Sequence, residues 1–186
     1  MNDLIREIQS KINSKIHTDY DMKKSSWFRA GGRAKGFVTI DNINDLKIIL
    51  SFRDHLKYYV IGVGSNLLVR DSGFNGILIK LGRNFNNIKF KKNILSVGAG
   101  VLDINLSRFA VRNSIKDFEF FAGIPGTIGG AVKMNAGCYG SQTADNLVRV
   151  LILNKFGKIK YIDFKDLNLR YRYSSVDDKT IILKAE

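Results

Sequence analysis

The sequence of 186 residues is short of several residue types, and each shortage narrows the possible function. A single cysteine, Cys138, excludes an internal disulfide and a cysteine-based zinc site. The two histidines, His17 and His55, stand apart from any Cys, Asp or Glu spacing typical of a metal site, so we expect no bound metal. No run of about eighteen apolar residues is present, so we expect no membrane-spanning helix and no membrane partner.

Acidic residues are scarce relative to basic ones, 17 against 30, which gives a formal net charge of +13. Three explanations stay open: lysines that coat the surface, small anionic ligands such as dinucleotides, or nucleic acid. The basic residues are scattered rather than gathered into one block, so we expect no nucleic-acid partner. Residues 1–15 are charged throughout and lack the apolar stretch of a secretion signal, so we expect a cytoplasmic protein. We also expect the protein to be a monomer.

Hydrophobic residues make up 45% of the chain, enough for a packed core, and their spacing predicts the regular elements. Asp41 or Asn42 is expected to cap the second helix. Helices and strands mix without strict alternation, which predicts an α+β arrangement in two lobes, residues 1–82 and 83–186. The last strand has no turn after it, so the chain looks like part of a longer protein. The predicted helices are 2–16, 46–52 and 102–113; the predicted strands are 36–40, 58–62 (a buried strand), 67–69, 77–81 and 180–186, with hairpins over 86–100 and 148–164.

The first glycine-rich loop, residues 62–66, follows the predicted strand 58–62. Glycines leave backbone N–H groups free to converge on an anion, and Ser65 and Asn66 add side-chain donors, so a diphosphate would fit there. A tight turn without a ligand is the alternative. The loop lacks the dinucleotide fingerprint of the doubly wound fold, which requires a helix where this sequence predicts strand 67–69.

The second glycine-rich segment, residues 122–137, carries seven residues that are poor choices for a packed regular element. Ordering such a segment costs conformational entropy, and its apolar flanks argue against a floppy linker. We therefore expect the backbone here to lie against a large flat ligand. The seven residues are Gly123, Pro125, Gly126, Gly129, Gly130, Asn135 and Gly137.

Three motifs, in this order, resemble those of the UDP-N-acetylenolpyruvoylglucosamine reductase family. They are SSWFRAGG at 25–32, GVGSNLLVRD at 62–71 and FEFFAGIPGTIGGAVKMNAGCYG at 118–140. The resemblance runs from about Ser25 to the last residue. It implies an α+β, two-lobe FAD-binding fold of the vanillyl-alcohol-oxidase type, with the substrate-binding C-terminal domain absent from this chain.

The resemblance also implies a set of residues that hold non-covalent FAD. Cys138, close to the implied flavin wall, is expected to be a small apolar filler, and a covalent flavin bond through it is the alternative. Arg29 in the first motif would be an outer partner of FAD or a structural arginine held by a salt bridge. The implied cofactor-binding residues are Gly62, Val63, Gly64, Ser65, Asn66, Leu67, Gly123, Ile124, Pro125, Gly126, Thr127, Gly129, Gly130, Asn135, Ala136, Gly137 and Ile182.

By the same resemblance, the reaction is the reduction of UDP-N-acetylglucosamine enolpyruvate to UDP-N-acetylmuramate for peptidoglycan, with NADPH as reductant of FAD. The segment LRYRYS at 169–174 resembles the motif that carries the family's catalytic arginine. Arg172 is therefore the expected catalytic residue, and Tyr171 and Arg172 the expected substrate-binding residues. Arg170 is the rival, because it shares a face with Arg172 if the segment is a strand. An exposed strand arginine without a catalytic role is the third possibility.

The family's proton donor, a serine, and its catalytic glutamate belong to the later domain, and no position here matches them. Ser174 and Glu186 are therefore not assigned to those roles. Two other functions remain open: another FAD-dependent oxidoreductase on the same fold, and a basic nucleic-acid-binding module with aromatic stacking platforms.

Overall fold

The computed structural model describes residues 2–186, which divide into two units. The first unit runs to Asn84 and includes Lys155–Gly157, and the second comprises Phe85–Asn154 and Lys158–Glu186. Both units contain helices and strands, which confirms the predicted α+β class. The assignment of residues 1–82 and 83–186 to two FAD-binding lobes stays a prediction. Within residues 2–186, every helix is too short or too polar to cross a membrane.

The first unit is built on a four-stranded sheet in the order β1-β2-β4-β3. Strand β1 is antiparallel to β2, whereas β2 and β3 are both parallel to β4. The cap of α2 is confirmed, since the Asn42 side chain accepts a hydrogen bond from Asp45 N. The elements are α1 (Asn2–Lys11), β1 (Ile16–Asp21), β2 (Arg33–Ile40), α2 (Ile43–Ser51), β3 (Tyr58–Ile61) and β4 (Phe74–Leu81).

The first helix is shorter than predicted, and the strand after it was missed. Helix α1 ends at Lys11. Ile12 and Ile16 are both buried, but Ile12 follows α1 and Ile16 begins β1, so their spacing does not indicate a continuous helix. The chain turns between them because Asn13 N and Ser14 N donate to the buried Asp45 carboxylate, at 3.3 and 2.8 Å. His17, which directly follows the predicted helix 2–16, lies in β1.

Two predictions about the neighbouring strands were also wrong. Residues 67–69 form no strand, and β3, predicted to be buried, leaves Tyr59 47% exposed. The exposure follows from position, because β3 is an edge of its sheet and has one neighbouring strand, β4. Residues 71–72 form a turn, and Gly73 after it is in the left-handed region.

The second unit is built on a five-stranded antiparallel sheet in the order β10-β9-β11-β6-β5. Both predicted hairpins are confirmed; Lys92 and Asn93, between β5 and β6, have φ angles of 50° and 59°, as a tight two-residue hairpin turn requires. The elements are β5 (Ile88–Lys91), β6 (Ile94–Gly98), α3 (Asp103–Arg112), α4 (Ile128–Met134), β7 (Gly137–Cys138), β8 (Ser141–Gln142), β9 (Arg149–Leu153), β10 (Ile159–Asp163) and β11 (Ile181–Ala185).

The glycine-rich segment is more regular than predicted. It contains a 3₁₀ turn over Glu119–Gly123 and the short helix α4, which includes Gly129 and Gly130. The prediction of no regular element was wrong because tertiary packing outweighs helix propensity here. Ile128, Ala131 and Val132 are buried on one side of α4 and hold the helix in place.

Candidate cofactor site

The first glycine loop, residues 62–66, presents unpaired hydrogen-bond donors. Among residues 2–186 we find no acceptor for the backbone N–H groups of Val63, Gly64, Ser65 and Asn66. The side chains of Ser65 and Asn66 also form no hydrogen bond within the described chain, and Asn66 is exposed. A run of successive free N–H groups with two polar side chains is the donor set that an anionic diphosphate requires.

The loop is held by the segment at residues 25–27. Trp27 N donates to Gly64 O at 3.1 Å, and Ser26 Oγ donates to Leu67 O at 3.0 Å. Gly64 has φ +73°, and a Cβ atom there would overlap the carbonyl oxygen of Ser25. Glycine is therefore required at 64 by the packing of the chain on itself, and the first two motifs form one folded structure.

The first motif, residues 25–32, also contacts the segment that follows the glycine loop. Gly32 N donates to Arg70 O at 2.9 Å, and a Cβ at Gly32 would overlap the backbone of Asp71. Residues 67–70 therefore pass alongside another loop instead of joining the sheet, which explains why the apolar run 67–69 is not a strand.

In the second unit, the turn between α3 and α4 is tied by backbone hydrogen bonds. Asp103 N donates to Gly126 O at 3.1 Å, and Ile128 N donates to Val101 O at 2.9 Å. Gly129 N donates to Ala99 O at 2.8 Å, which brings α4 against the end of β6. This network fixes the Pro125–Gly126 turn and leaves the N–H groups of Thr127 and Gly130 without an acceptor in the described chain.

Gly129 and Gly130, adjacent in α4, differ in their surroundings. A Cβ on Gly129 would lie 3.1 Å from Ala99 Cβ, whereas a Cβ on Gly130 would meet only Thr127 Oγ1, at 3.6 Å. Packing within the chain therefore accounts for glycine at 129. It gives no reason at 130, where the backbone is exposed and a ligand can approach closely.

Asp103, in the first turn of α3, is a residue that sequence reasoning missed. The residue has 0% exposure, and neither carboxylate oxygen has a hydrogen-bond partner in the described chain. Burial raises the pKa of the Asp103 carboxyl from its ordinary 3.8 to about 7. A Cβ on Gly126 would lie 2.5 Å from Asp103 Oδ2, so the carboxyl group packs directly under the Pro125–Gly126 turn.

Asn135 joins three segments of the second unit. Its Nδ2 donates to Gln142 Oε1 at 2.9 Å and to Arg170 O at 3.1 Å, and its Oδ1 accepts from Ala144 N at 2.9 Å. Asn135 is 2% exposed and ends α4 in the left-handed conformation, with φ 41°. Its amide group is thus fully used within the chain.

Arg170 and Arg172 lie on a tight turn, so the condition under which they would share a strand face is not met. Arg170 and Tyr173 exchange two backbone hydrogen bonds of 3.0 Å, and Arg172, between them, has φ 53°. The Arg170 guanidinium stacks on the Tyr173 ring at 4.5 Å. Arg172 Nη2 donates to Gly137 O at 3.2 Å, so the structure brings Arg172 to the glycine-rich segment, while Tyr171 is 86% exposed.

Four other residues that the sequence brought into question lie in the second unit. Ser174 is buried, and its Oγ donates to Lys133 O at 2.8 Å. The Glu186 carboxylate forms ion pairs with Arg149 and Lys184, at 2.7 and 2.6 Å. Cys138 is a half-buried free cysteine beside Gly123, and Ile182 is a buried residue of β11.

The FAD binding domain family matches residues 34–163 of the chain. The UDP-N-acetylenolpyruvoylglucosamine reductase of Pelagibacter ubique is 43% identical over 183 residues, which are 97% of this chain and 61% of that protein. The crystal structure of the reductase of the same name from Thermus caldophilus superimposes with a TM-score of 0.82 at 31% identity, over 93% of this chain and 61% of that chain. These similarities confirm the resemblance predicted from the motifs.

A vanillyl-alcohol-oxidase-type flavoprotein from Myceliophthora thermophila superimposes with a TM-score of 0.60 at 15% identity, over 83% of this chain and 31% of that chain. At this identity the similarity concerns the fold alone, and it confirms the predicted fold type. The chain spans about three fifths of the length of the reductases it matches. The family match confirms FAD as the predicted cofactor, and the free donors of residues 63–66 fit its diphosphate. The chain belongs to the family of FAD-binding domains.

Proposed function

We propose that the chain is the flavin-binding part of a cytoplasmic, NADPH-dependent reductase that converts UDP-N-acetylglucosamine enolpyruvate to UDP-N-acetylmuramate for peptidoglycan. The observation that carries the proposal is the hydrogen bond from Arg172 to Gly137 O, which holds a cationic side chain at the glycine-rich segment. A reaction at a carboxylate-bearing substrate needs a permanent cation beside the flavin.

Each unit contains residues that we propose to bind FAD. In the first unit, the free N–H groups and side chains of residues 62–67 bind the diphosphate. In the second unit, residues 123–127, with Gly129 and Gly130, form the wall against the cofactor, and the exposed backbone of Gly130 supports this placement. Asn135, Ala136, Gly137 and Ile182 complete the wall; Asn135 contributes by holding its neighbours in place, because its amide is engaged within the chain.

Bound FAD would supply the hydride chemistry by which NADPH reduces the enolpyruvyl double bond. Arg172 has four further N–H donors besides the one used by Gly137 O, enough to grip the substrate carboxylate with two parallel bonds. Its positive charge stabilises the negative charge that develops beside that carboxylate. Tyr171, exposed beside Arg172, contributes to substrate binding.

The proton donor and the third catalytic group are not assigned to residues of this chain. Ser174 Oγ is buried and bonded to Lys133 O, and the Glu186 carboxylate is paired with two cations. Neither group is free to exchange a proton with a substrate.

The proposal is tested first by flavin uptake and then by turnover. Purified chain incubated with FAD and separated from free cofactor should carry the two visible absorption bands of oxidised flavin. NADPH should then bleach these bands. Reoxidation by the enolpyruvyl UDP-sugar without oxygen is measured with the later substrate-binding domain joined to the chain, because the proton donor is not assigned to this chain. A folded sample that takes up no flavin would contradict the cofactor site, whereas flavin in the joined protein that the substrate does not reoxidise would contradict the reaction.

Replacing Gly130 with alanine should weaken FAD binding by about tenfold, because a methyl group would occupy the open space over the backbone of α4. The same change should leave the apoprotein equally stable or stabilise it by up to about 1 kcal/mol, since alanine favours a helix over glycine. Flavin titration and thermal unfolding measure the two effects separately. Gly129→Ala is the contrast: its Cβ meets Ala99 at 3.1 Å, so it should lower stability. Unchanged FAD affinity in Gly130→Ala would remove this residue from the site.

Replacing Arg172 with lysine should lower kcat by about a hundredfold, because lysine keeps the charge but loses the paired donors. FAD affinity should stay within about threefold of the original value, since the substitution leaves the glycine backbone unchanged. Steady-state kinetics with NADPH and the enolpyruvyl UDP-sugar measure the effect in the chain joined to the later substrate-binding domain. Arg170→Lys is the matched control, because Arg170 stacks on Tyr173 on the same turn. A larger loss in Arg170→Lys would transfer the catalytic role to Arg170.

A further inference from the structure

The buried Asp103 carboxyl group has no role in the function proposed above, although it contacts a segment of the proposed cofactor wall. Asp103 N donates to Gly126 O at 3.1 Å, and a Cβ atom on Gly126 would lie 2.5 Å from Asp103 Oδ2. Any larger residue at position 126 would therefore displace the carboxyl group. The carboxyl group and the Pro125–Gly126 turn fill one space, so a change in one is transmitted to the other.

The surroundings of Asp103 offer nothing that stabilises a negative charge. Within residues 2–186, it is the one buried side chain whose polar atoms lack a hydrogen-bond partner, and it has no exposed surface. A buried carboxylate that lacks both water and a donor is strongly destabilised, whereas the neutral acid carries no charge to desolvate. Burial accordingly raises the pKa of the Asp103 carboxyl to about 7.

No charged side chain of the described residues compensates for this burial. The side chains of Arg108, Arg112 and Glu119 are exposed, and Lys133 is paired with Asp178 at 2.7 Å. None of these groups shifts the pKa of Asp103, for which burial is the only cause. The other charged residues on α3, on α4 and on the 3₁₀ turn Glu119–Gly123 are therefore Arg108, Arg112, Glu119 and Lys133, and β6 and the Pro125–Gly126 turn contribute none.

The negative charge of FAD acts against an ionised Asp103. FAD carries two negative charges on its diphosphate, and the proposed function sets the cofactor against residues 123–127, which include the turn that covers this carboxyl group. At an effective dielectric constant of about 20, two like charges about 10 Å apart already disfavour each other by about tenfold. A neutral Asp103 avoids this repulsion, so FAD binding and the proton on Asp103 favour each other.

We propose that the second unit binds FAD with Asp103 in its neutral form, so that this carboxyl group is a proton-linked positioning residue of the cofactor wall. The inference rests on the proposed function, which places FAD against this segment. Below neutral pH the carboxyl group already carries its proton when FAD arrives. Above neutral pH the proton has left, and the binding of FAD transfers one proton from the solvent to Asp103.

The pH dependence of FAD affinity tests the proposal. The FAD-free chain is titrated with FAD at pH 6 and at pH 8, and the fluorescence of the flavin is followed. The original protein should bind FAD about tenfold more weakly at pH 8, because about one molecule in ten still carries the proton there. The folded pKa is raised, so the proton is present below about pH 7 and is lost above it.

Asp103→Asn keeps the size of the neutral carboxyl group and cannot ionise. Its FAD affinity should change by less than about twofold between the two pH values, and at pH 8 it should bind FAD about tenfold more tightly than the original protein. Every other titratable group is retained in this variant, so its effect cancels in the comparison. Glu119→Gln is the matched control, because it removes an exposed carboxylate and should keep the pH dependence of the original protein.

Two measurements on the original protein keep the test decisive if Asp103→Asn fails to fold. Calorimetry at pH 8 in two buffers with different heats of protonation counts the protons taken up with FAD, and close to one proton is expected. Carbon-13 NMR of protein labelled at the aspartate carboxyl carbons follows Asp103 itself. Without FAD, one aspartate signal should titrate near pH 7, and with FAD it should remain that of the neutral acid at pH 8.

The outcomes separate this inference from the proposed function. Equal pH dependence in the original protein and in Asp103→Asn would overturn the inference alone. So would an aspartate NMR spectrum in which every carboxyl is ionised at pH 6, since the N-terminus of α3 would then stabilise the charge of Asp103. A folded chain that binds no FAD at either pH would contradict the proposed cofactor site and, with it, the inference. FAD that binds with the expected pH dependence but supports no turnover would contradict the proposed reaction only.

Discussion

Replacing Asn135 with alanine is expected to lower the free energy of unfolding of the second unit by about 3 kcal/mol. The substitution removes three side-chain hydrogen bonds, each worth about 1 kcal/mol in net terms, and leaves buried partners such as Ala144 N and Arg170 O without their bond. Alanine also tolerates the left-handed conformation at position 135 less well than asparagine. Urea unfolding followed by circular dichroism measures the loss.

Two further variants separate the causes. Asn135→Gly relieves the backbone strain but removes the same bonds, so it should recover about 1 kcal/mol of the loss. Asn113→Ala removes one exposed side-chain bond at the end of α3, to Phe109 O at 2.8 Å, and should cost less than about 1 kcal/mol. Hydrogen exchange at Ala144 N provides a local readout, because its acceptor is Asn135 Oδ1. Unchanged exchange protection in Asn135→Ala would contradict this explanation.

The elements that the sequence predicts correctly are those whose signal is local. The β5–β6 hairpin depends on Lys92 and Asn93, which adopt positive φ, and α2 depends on the Asn42 side chain three residues before Asp45 N. Turn and cap residues act on their immediate neighbours, so their effect is visible in a short stretch of sequence.

The predictions that were wrong involve partners far along the chain. Residues 67–69 have a strand-like composition, but Gly32 N occupies Arg70 O and keeps them beside the first motif. Gly129 lies in a helix because Ala99, thirty residues earlier in the sequence, accepts its N–H and packs against it. Neither contact can be recognised from the sequence of the segment whose structure it determines.

Some features of the candidate site were predicted from the sequence and others were not, for the same reason. The glycine segments were found because glycine is conspicuous in a sequence, and the resemblance supplied their roles. The turn at Arg170–Tyr173 was not found, since two arginines two positions apart fit a strand equally well. Asp103 carries no signal at all, because an acidic residue in the first turn of a helix ordinarily interacts with the exposed helix N-terminus.

Raising the pH from about 4 to about 7 should destabilise the second unit, because Asp103 keeps its proton in the folded protein and loses it when unfolded. The pKa of this carboxyl is about 7 in the folded state and 3.8 ordinarily, so between these values the folded state binds one more proton. The contribution of this group to stability is therefore greatest below pH 4 and falls as pH rises through the interval. At 1.36 kcal/mol per unit, the total for this group is about 4 kcal/mol.

Asp103→Asn tests this linkage directly, because asparagine resembles the neutral carboxyl in size and cannot ionise. At pH 5 the variant should be more stable than the original protein by about 1.5 kcal/mol, and at pH 8 by about 4 kcal/mol. Urea unfolding at the two pH values measures both differences. Glu119→Gln, which removes an exposed carboxylate before the same glycine-rich segment, is the control and should change little at either pH. If Asp103→Asn is destabilised equally at pH 5 and pH 8, the Asp103 carboxyl of the original protein is ionised at both pH values, because a hydrogen-bond partner stabilises its charge. In that case the space beneath the Pro125–Gly126 turn would contain a hydrogen-bond donor, and the turn would be held by charge rather than by packing.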